Sequence, residues 1–201
     1  VRTLAVLALL VTGLFSVGSL AQMQAAPSAA KIAGQVQAFY DQTRSVEASF
    51  DQTYFHKLYR RYDRSRGTLR ILKPGRMRWD YAEPNGKVLV ADGKRLRVFE
   101  PGEDGAPGQI IERSLKGAQL PDALSFLTGG ARLESLFEMR LLDARKQGYE
   151  AGHVLELRPL QPSSHYDRIL FYVDAHPDRL GLVHRVMIID AAGNRNRFDF
   201  K

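Results

Sequence analysis

The 201-residue chain contains no cysteine. Disulfides, zinc–thiolate sites, iron–sulfur clusters and a thiol nucleophile are therefore excluded, as is a lipidated cysteine within these residues. The five histidines, His56, His153, His165, His176 and His184, never fall at HExxH, HxH or HxxxH spacing, so no metal site is expected. A GxSxG elbow, a phosphate-binding P-loop and a GxGxxG turn are also missing. The acids are mostly scattered on the polar parity of alternating segments, where solvated surface is the plain reading. No enzyme and no cofactor are expected. The chain has no internal repeat and no low-complexity tract.

What is present begins with one uncharged run, Leu4–Leu20, preceded by Arg2 and followed by the small-residue Ser19-Leu20-Ala21. That is the layout of a cleavable secretory signal, which sets residues 1–21 apart as a signal peptide. Thr12, Gly13, Ser16, Gly18 and Ser19 dilute the hydrophobicity that a spanning helix needs. Export to the periplasm makes nucleic acid an improbable partner for the net charge of +7. Residues 22–30 read as a flexible lead-in containing Pro27, and residues 31–201 as one domain.

Ile32, Val36, Phe39 and Tyr40 form one apolar helix face, ending near Thr43–Arg44. The period then changes to two. Val46, Ala48 and Phe50 alternate with acids and serine, and Leu69 and Ile71 alternate with Thr68 and Arg70 until Pro74-Gly75. Met77, Trp79 and Tyr81 share a parity opposite to Arg76, Arg78 and Asp80. Val88–Ala91 and Leu96–Phe99 flank Asp92-Gly93, a hairpin signature. Pro121, Ala123, Leu124, Phe126 and Leu127 before Gly129-Gly130 describe a short central helix. Strands resume over 154–158, 168–174, 183–190 and 195–200. This order predicts a mainly antiparallel sheet, curled or partly closed, with helices on one side.

Between Lys57 and Arg78 nine Lys/Arg residues face a single acid, Asp63. They read either as solvated strand edges or as a docking surface for an acidic partner or anionic headgroups. Lys73 shares parity with Leu69 and Ile71, so its ammonium points to the apolar face and must snorkel out or find acceptors. Trp79, Tyr81, Phe99 and Met77 read first as core, although a curled sheet under a helical cover can also hold an apolar ligand.

Ser45-Val46-Glu47-Ala48-Ser49-Phe50-Asp51-Gln52 after an amphipathic helix resembles the start of outer-membrane lipoprotein carrier proteins, the LolA family. Gly67 to Tyr81, then Pro84, then Val90-Ala91-Asp92-Gly93-Lys94, is similar to that family's central signature. The resemblance covers roughly Lys31 to Lys201. It implies an unclosed half-barrel covered by an N-terminal helix and a short central lid. It also implies a monomeric periplasmic chaperone that takes acylated lipoproteins from an inner-membrane ABC transporter to an outer-membrane acceptor. Leu69, Ile71, Met77, Trp79, Tyr81, Leu124, Phe126 and Leu127 would then bind acyl chains, with Arg70, Arg76 and Arg78 docking partners. Lys73 occupies the position of a lid-latching arginine, a departure that exchanges a planar fork for a point donor. A second departure is the absence, after Phe200-Lys201, of the closing Phe-x-Phe-x-Pro-Pro-x-Gly stretch that the resemblance implies. On the same fold, a carrier or sensor of free lipids such as a phospholipid or hopanoid is the alternative.

Overall fold

A computed structural model describes residues 26–102, 104–115 and 132–201. Helix α1 (Ala29–Gln42) starts where the Ser28 side chain accepts a hydrogen bond from the Lys31 amide, at 3.2 Å. The strands are β1 (Ser45–His56), β2 (Arg61–Leu72), β3 (Arg76–Tyr81), β4 (Val88–Asp92), β5 (Arg95–Glu100) and β6 (Gln109–Ser114), followed by a one-turn helix α2 (Leu133–Leu136) and then β7 (Phe137–Leu142), β8 (Gly152–Pro159), β9 (Arg168–Asp174), β10 (Val183–Ile189) and β11 (Arg195–Phe200). All eleven join one antiparallel sheet in the order β6-β5-β4-β3-β2-β1-β11-β10-β9-β8-β7. Among the described residues β6 and β7 do not pair with each other, so the sheet is unclosed, as the family resemblance implies.

Alternation sorts each strand's residues onto two faces. The concave face gathers Phe50, Leu69, Ile71, Met77, Trp79, Ala91, Leu155, Leu157, Ile169, Phe171, Val186 and Phe198, all buried. Helix α1 lays Ile32, Ala33, Val36 and Tyr40 against this layer. The convex face carries arginines whose register sets them beside acids. Arg95 and Arg97 meet Glu112 at 3.1 and 2.7 Å, and Arg185 and Arg197 meet Asp199 at 2.5 and 2.8 Å. Under β8 and β9 a second apolar cluster, Val154, Leu170, Tyr172 and Ile189, lies on this outer side. There the buried carboxylate of Glu156 is held by Arg140, Arg158 and Arg168.

The expected helix and hairpin are present, and the hairpin has a clear cause. Asp92 Oδ1 accepts from the Lys94 and Arg95 amides at 2.9 and 2.7 Å, fixing the turn at which Gly93 takes a positive φ of 88°. Three outcomes differ from the expectation. Strand β2 begins at Arg61, because full pairing with β1 imposes extension on a polar stretch that has no readable period. Strands β6 and β7 are additional, although Phe137, Met139 and Leu141 do alternate. Phe99 is not core: it shares the outer parity with Arg97 and is 39% exposed. The signal-peptide segment and the central helix with Leu124, Phe126 and Leu127 lie outside the described residues.

Curling the sheet requires one close approach. A Cβ at Gly67 would sit 2.1 Å from the Asp80 carbonyl oxygen and 2.8 Å from the Phe50 ring. Phe50 thus covers a strand position that must lack a side chain. Gly67→Ala should lose about 1–3 kcal/mol. For a domain of this size that lowers the thermal midpoint by roughly 2–12 °C, checked by a calorimetric or circular-dichroism melt. An unchanged midpoint would show that the sheet curls without this contact.

Candidate apolar-ligand site

The strongest candidate site is the concave layer between α1 and the sheet. Four of the sequence-predicted lining residues come together there. Leu69 and Ile71 on β2 pair in register with Trp79 and Met77 on β3, and all four are at most 5% exposed. Tyr81 is half-buried beside them, and burial pushes its phenol up to about 12. Residues that the sequence reading did not assign complete the wall. Phe50 packs edge-on against Trp79 and Tyr81 at 4.8 and 5.0 Å, and Phe198 against Trp79 at 5.3 Å. Their signal was available in the alternation of Phe198 and Phe200 along the last strand.

A pocket of about 60 Å³ remains open in this layer, lined by Tyr40, Val46, Ala48, Leu69, Ile71, Leu182, Val183, Val186 and Phe200. Its lining is almost entirely apolar, so it is chemically suited to hydrocarbon. Two larger openings mix charged with apolar side chains. One of about 810 Å³ on the convex face is lined by Arg140, Arg158, Arg168 and Arg195, and one of about 540 Å³ by Asp51, Arg64, Arg66 and Glu83. Among the described residues no group of three His, Asp or Glu could hold a metal ion.

Helix α1 is tied to the sheet by a few polar contacts around this pocket. Lys73, at the end of β2, donates its ammonium to the Tyr40 carbonyl in the last turn of α1. A cation there also meets the negative end of the helix dipole. The ammonium thus finds an acceptor and stays half-buried, resolving the conflict its parity creates. The Tyr40 hydroxyl accepts from the Val183 amide at 3.4 Å, beside a register shift between Val183 and Arg185 in β10. Burial pushes the Tyr40 phenol up to about 12. Gln37 accepts from the Leu133 amide at 3.1 Å, joining α1 to α2. Backbone meets backbone at Gly181, where a Cβ would stand 2.1 Å from the Gln35 carbonyl oxygen.

The three arginines expected to dock partners lie on the convex face, near the same end. Arg70 bridges Glu47 and Asp80 at 3.2 and 3.1 Å, and Arg78 meets Asp80 at 2.6 Å. The hydrogen bond from Arg78 holds the Asp80 carboxyl below its usual range. Arg76 is exposed and, among the described residues, makes no ion pair with an acid.

The family model described as outer membrane lipoprotein carrier protein LolA matches residues 41–201. The chain belongs to the LolA family. An outer-membrane lipoprotein carrier protein from Chromobacterium violaceum is 32% identical over 125 residues, which are 62% of this chain and 56% of that protein. The chain thus spans little more than half the length of that relative. One from Halorhodospira halophila is 30% identical over 184 residues, covering 84% of this chain and 82% of the relative. A solved LolA superfamily structure from Nitrosomonas europaea aligns over 88% of this chain and 92% of its own, at 15% identity and a TM-score of 0.43.

Two outcomes are expected of the α1 anchorage. Lys73→Met should increase binding of an apolar fluorescent dye and speed hydrogen exchange in the last turn of α1, whereas Lys73→Arg should keep both near wild type. Unchanged exchange in Lys73→Met would mean that packing alone holds the helix. Separately, Tyr81 is neutral in the folded protein up to about 12, while the unfolded phenol ionises near 10. Its contribution is complete below pH 10 and is lost as pH rises toward 12. Urea titrations of Tyr81→Phe should therefore fall less steeply over that window than those of wild type.

Proposed function

We propose that this chain is a periplasmic chaperone that carries lipoproteins from the inner to the outer membrane, sheltering their acyl chains between α1 and the concave face of the sheet. The observation that carries this reading is the buried apolar wall of Leu69, Ile71, Met77 and Trp79 beneath the apolar face of α1, Ile32, Ala33, Val36 and Tyr40. Family membership supports it. Each methylene exposed to water costs about 0.8 kcal/mol, so a sixteen-carbon chain in transit costs roughly 12 kcal/mol unless it is covered. Such a carrier performs no covalent chemistry and needs no cofactor, because the next site need only bind the chains more favourably.

The pocket of about 60 Å³ is too small for that cargo. Taking each carbon as about the size of a water, at ~30 Å³, one chain needs roughly 500 Å³. Loading must therefore part α1 from the sheet, and the chains take the place of Ile32, Val36 and Tyr40. On this reading Lys73 is the latch, releasing the Tyr40 carbonyl when the helix lifts. On the same reading Leu124, Phe126 and Leu127, which lie outside the described residues, also bind the acyl chains. Arg76, with Arg70 and Arg78 beside it, meets the inner-membrane ABC transporter and the outer-membrane acceptor. The carrier works as a monomer.

A photo-crosslinking amino acid at Met77 should trap an acylated lipoprotein in the periplasm. Recovery of free phospholipid or hopanoid alone would point instead to a carrier of free lipids. Met77→Glu should leave lipoproteins at the inner membrane, read by fractionation; normal sorting in a folded Met77→Glu variant would refute the assigned site.

A further inference from the structure

The β1–β2 hairpin ends far from the α1 anchorage, and its tip breaks two local rules. Pairing runs to His56↔Arg61, leaving Lys57, Leu58, Tyr59 and Arg60 as the turn. Leu58 is 83% exposed and Tyr59 74%, adjacent in the turn, and Tyr62 is 54% exposed at the start of the returning strand. A soluble surface gains nothing from neighbouring large apolar side chains held in water. The second broken rule is in the backbone. Arg60 has φ 50°, a left-handed conformation that glycine or asparagine adopts more cheaply. A cation kept where the turn favours glycine is a local inconsistency of the kind expected at functional positions.

The electrostatics around the tip are one-sided. Lys57, Arg60, Arg61 and Arg64 are all exposed. The acid within the hairpin end, Asp63, is occupied by His56 at 2.7 Å and Arg61 at 3.0 Å. The stalk beneath is stiff. Phe55 lies 4.7 Å from the Tyr62 ring, the Arg195 guanidinium stands 4.6 Å over the Phe55 ring, and the Lys57 amide donates to Asn194 at 2.9 Å. The tip is thus a held protrusion, with two apolar side chains at its end and cations on both flanks.

We propose that this tip docks the protein on a bilayer surface rich in anionic phospholipid, with Leu58 and Tyr59 entering the headgroup layer while Lys57, Arg60, Arg61 and Arg64 engage phosphates. A lipid surface fits better than a protein partner because the shape is a protruding turn that needs no matching socket. Leucine beside tyrosine suits the boundary between acyl chains and water. Cations spread around such a tip pair with mobile headgroups in any rotation of the protein. The twelve residues of β1, at about 3.3 Å each, keep this contact roughly 35–40 Å from the Lys73 end, so docking leaves the α1 latch free. The proposal does not rest on the identity of the cargo.

The missing cysteines make a direct test available. In the full chain, Leu58→Cys labelled with an environment-sensitive dye should shift its emission toward the blue on phosphatidylethanolamine vesicles containing phosphatidylglycerol, and not on phosphatidylcholine vesicles. A label at the tip reads this contact regardless of how the apolar Leu4–Leu20 run behaves. Each cation near an anionic surface contributes about fivefold, so Lys57→Gln, Arg60→Gln and Arg64→Gln together should weaken partitioning roughly 100-fold. Raising the salt toward 1 M should do the same by shortening the screening length. Tyr59→Ser should weaken the interaction on its own, with an unchanged circular-dichroism melt for every variant. An unshifted dye, an equal shift on phosphatidylcholine, or full binding by the charge variant would overturn the proposal. So would a crosslink from position 59 to an acidic protein with no vesicle response. No lipoprotein is present in these assays, so their failure would leave the carrier reading standing, and the reverse holds for the Met77 experiments.

Discussion

An open sheet of eleven strands leaves a concave apolar surface that water would otherwise wet, and covering that surface is the constraint on which the rest of the molecule depends. Helix α1 supplies the described cover with Ile32, Ala33, Val36 and Tyr40. The attraction is non-directional and scales with the apolar area removed from water. Hydrocarbon of another origin can therefore substitute for the helix without a matching geometry. A cover held this way is exchangeable in principle, whereas one stitched by a continuous hydrogen-bond ladder is not. Among the described residues, polar contacts that fix α1 include Lys73 and Val183 on Tyr40, and Leu133 on Gln37, all in its C-terminal half.

Charge is handled by the opposite face. Because successive strand residues alternate, the same segments that put Leu69, Ile71, Met77 and Trp79 inward put Arg70, Arg76 and Arg78 outward. Many of the outward arginines are paired within the sheet, as Arg70 and Arg78 share Asp80, and Arg95 and Arg97 share Glu112. Exposed pairs of this kind contribute little stability individually. Their larger effect is to keep a broad arginine-rich surface locally balanced, so that cations lacking an acid at close range stand out. Among the described residues Arg76 and, at the end of the β1–β2 hairpin, Lys57, Arg60 and Arg64 are such cations.

Legibility in the sequence followed the strength of the periodic signal. Helix α1, the β4–β5 hairpin and the strands carrying Leu69, Ile71, Met77 and Trp79 were readable because one face of each is apolar and the other polar. The first half of β2 was not. Arg61 to Arg66 are polar on both faces, and only the partner strand β1 makes them extended. Phe99 misled because an aromatic in a strand suggests core, while its parity with Arg97 already assigned it outward. Phe50 and Phe198 were placed in strands but not in the site, since sequence spacing cannot show that β1, β3 and β11 bring three rings together. The contact of Lys73 with α1 was half visible: parity aimed the ammonium inward, but nothing in the linear pattern named a helix carbonyl as its acceptor.

On the proposed carrier reading, the contact of Lys73 with α1 has a consequence for exchange of the cover. An ammonium donates from a compact, strongly hydrated charge on a flexible stem, and a carbonyl accepts it without any fixed orientation. A guanidinium, which the family resemblance leads one to expect at this position, would hold the same helix end with a planar fork and several parallel donors. Once freed, the lysine stem at the end of β2 can carry its head to water without leaving a charge stranded in the apolar layer. The Tyr40 carbonyl, at the end of a helix, can likewise turn to solvent as the helix lifts. Neither partner is then left buried and unsatisfied, which is the outcome that makes breaking an interior polar contact expensive. A single lysine at the mouth of the layer is thus compatible with a cover that both seals and opens, provided that the apolar surface it uncovers is refilled in the same event.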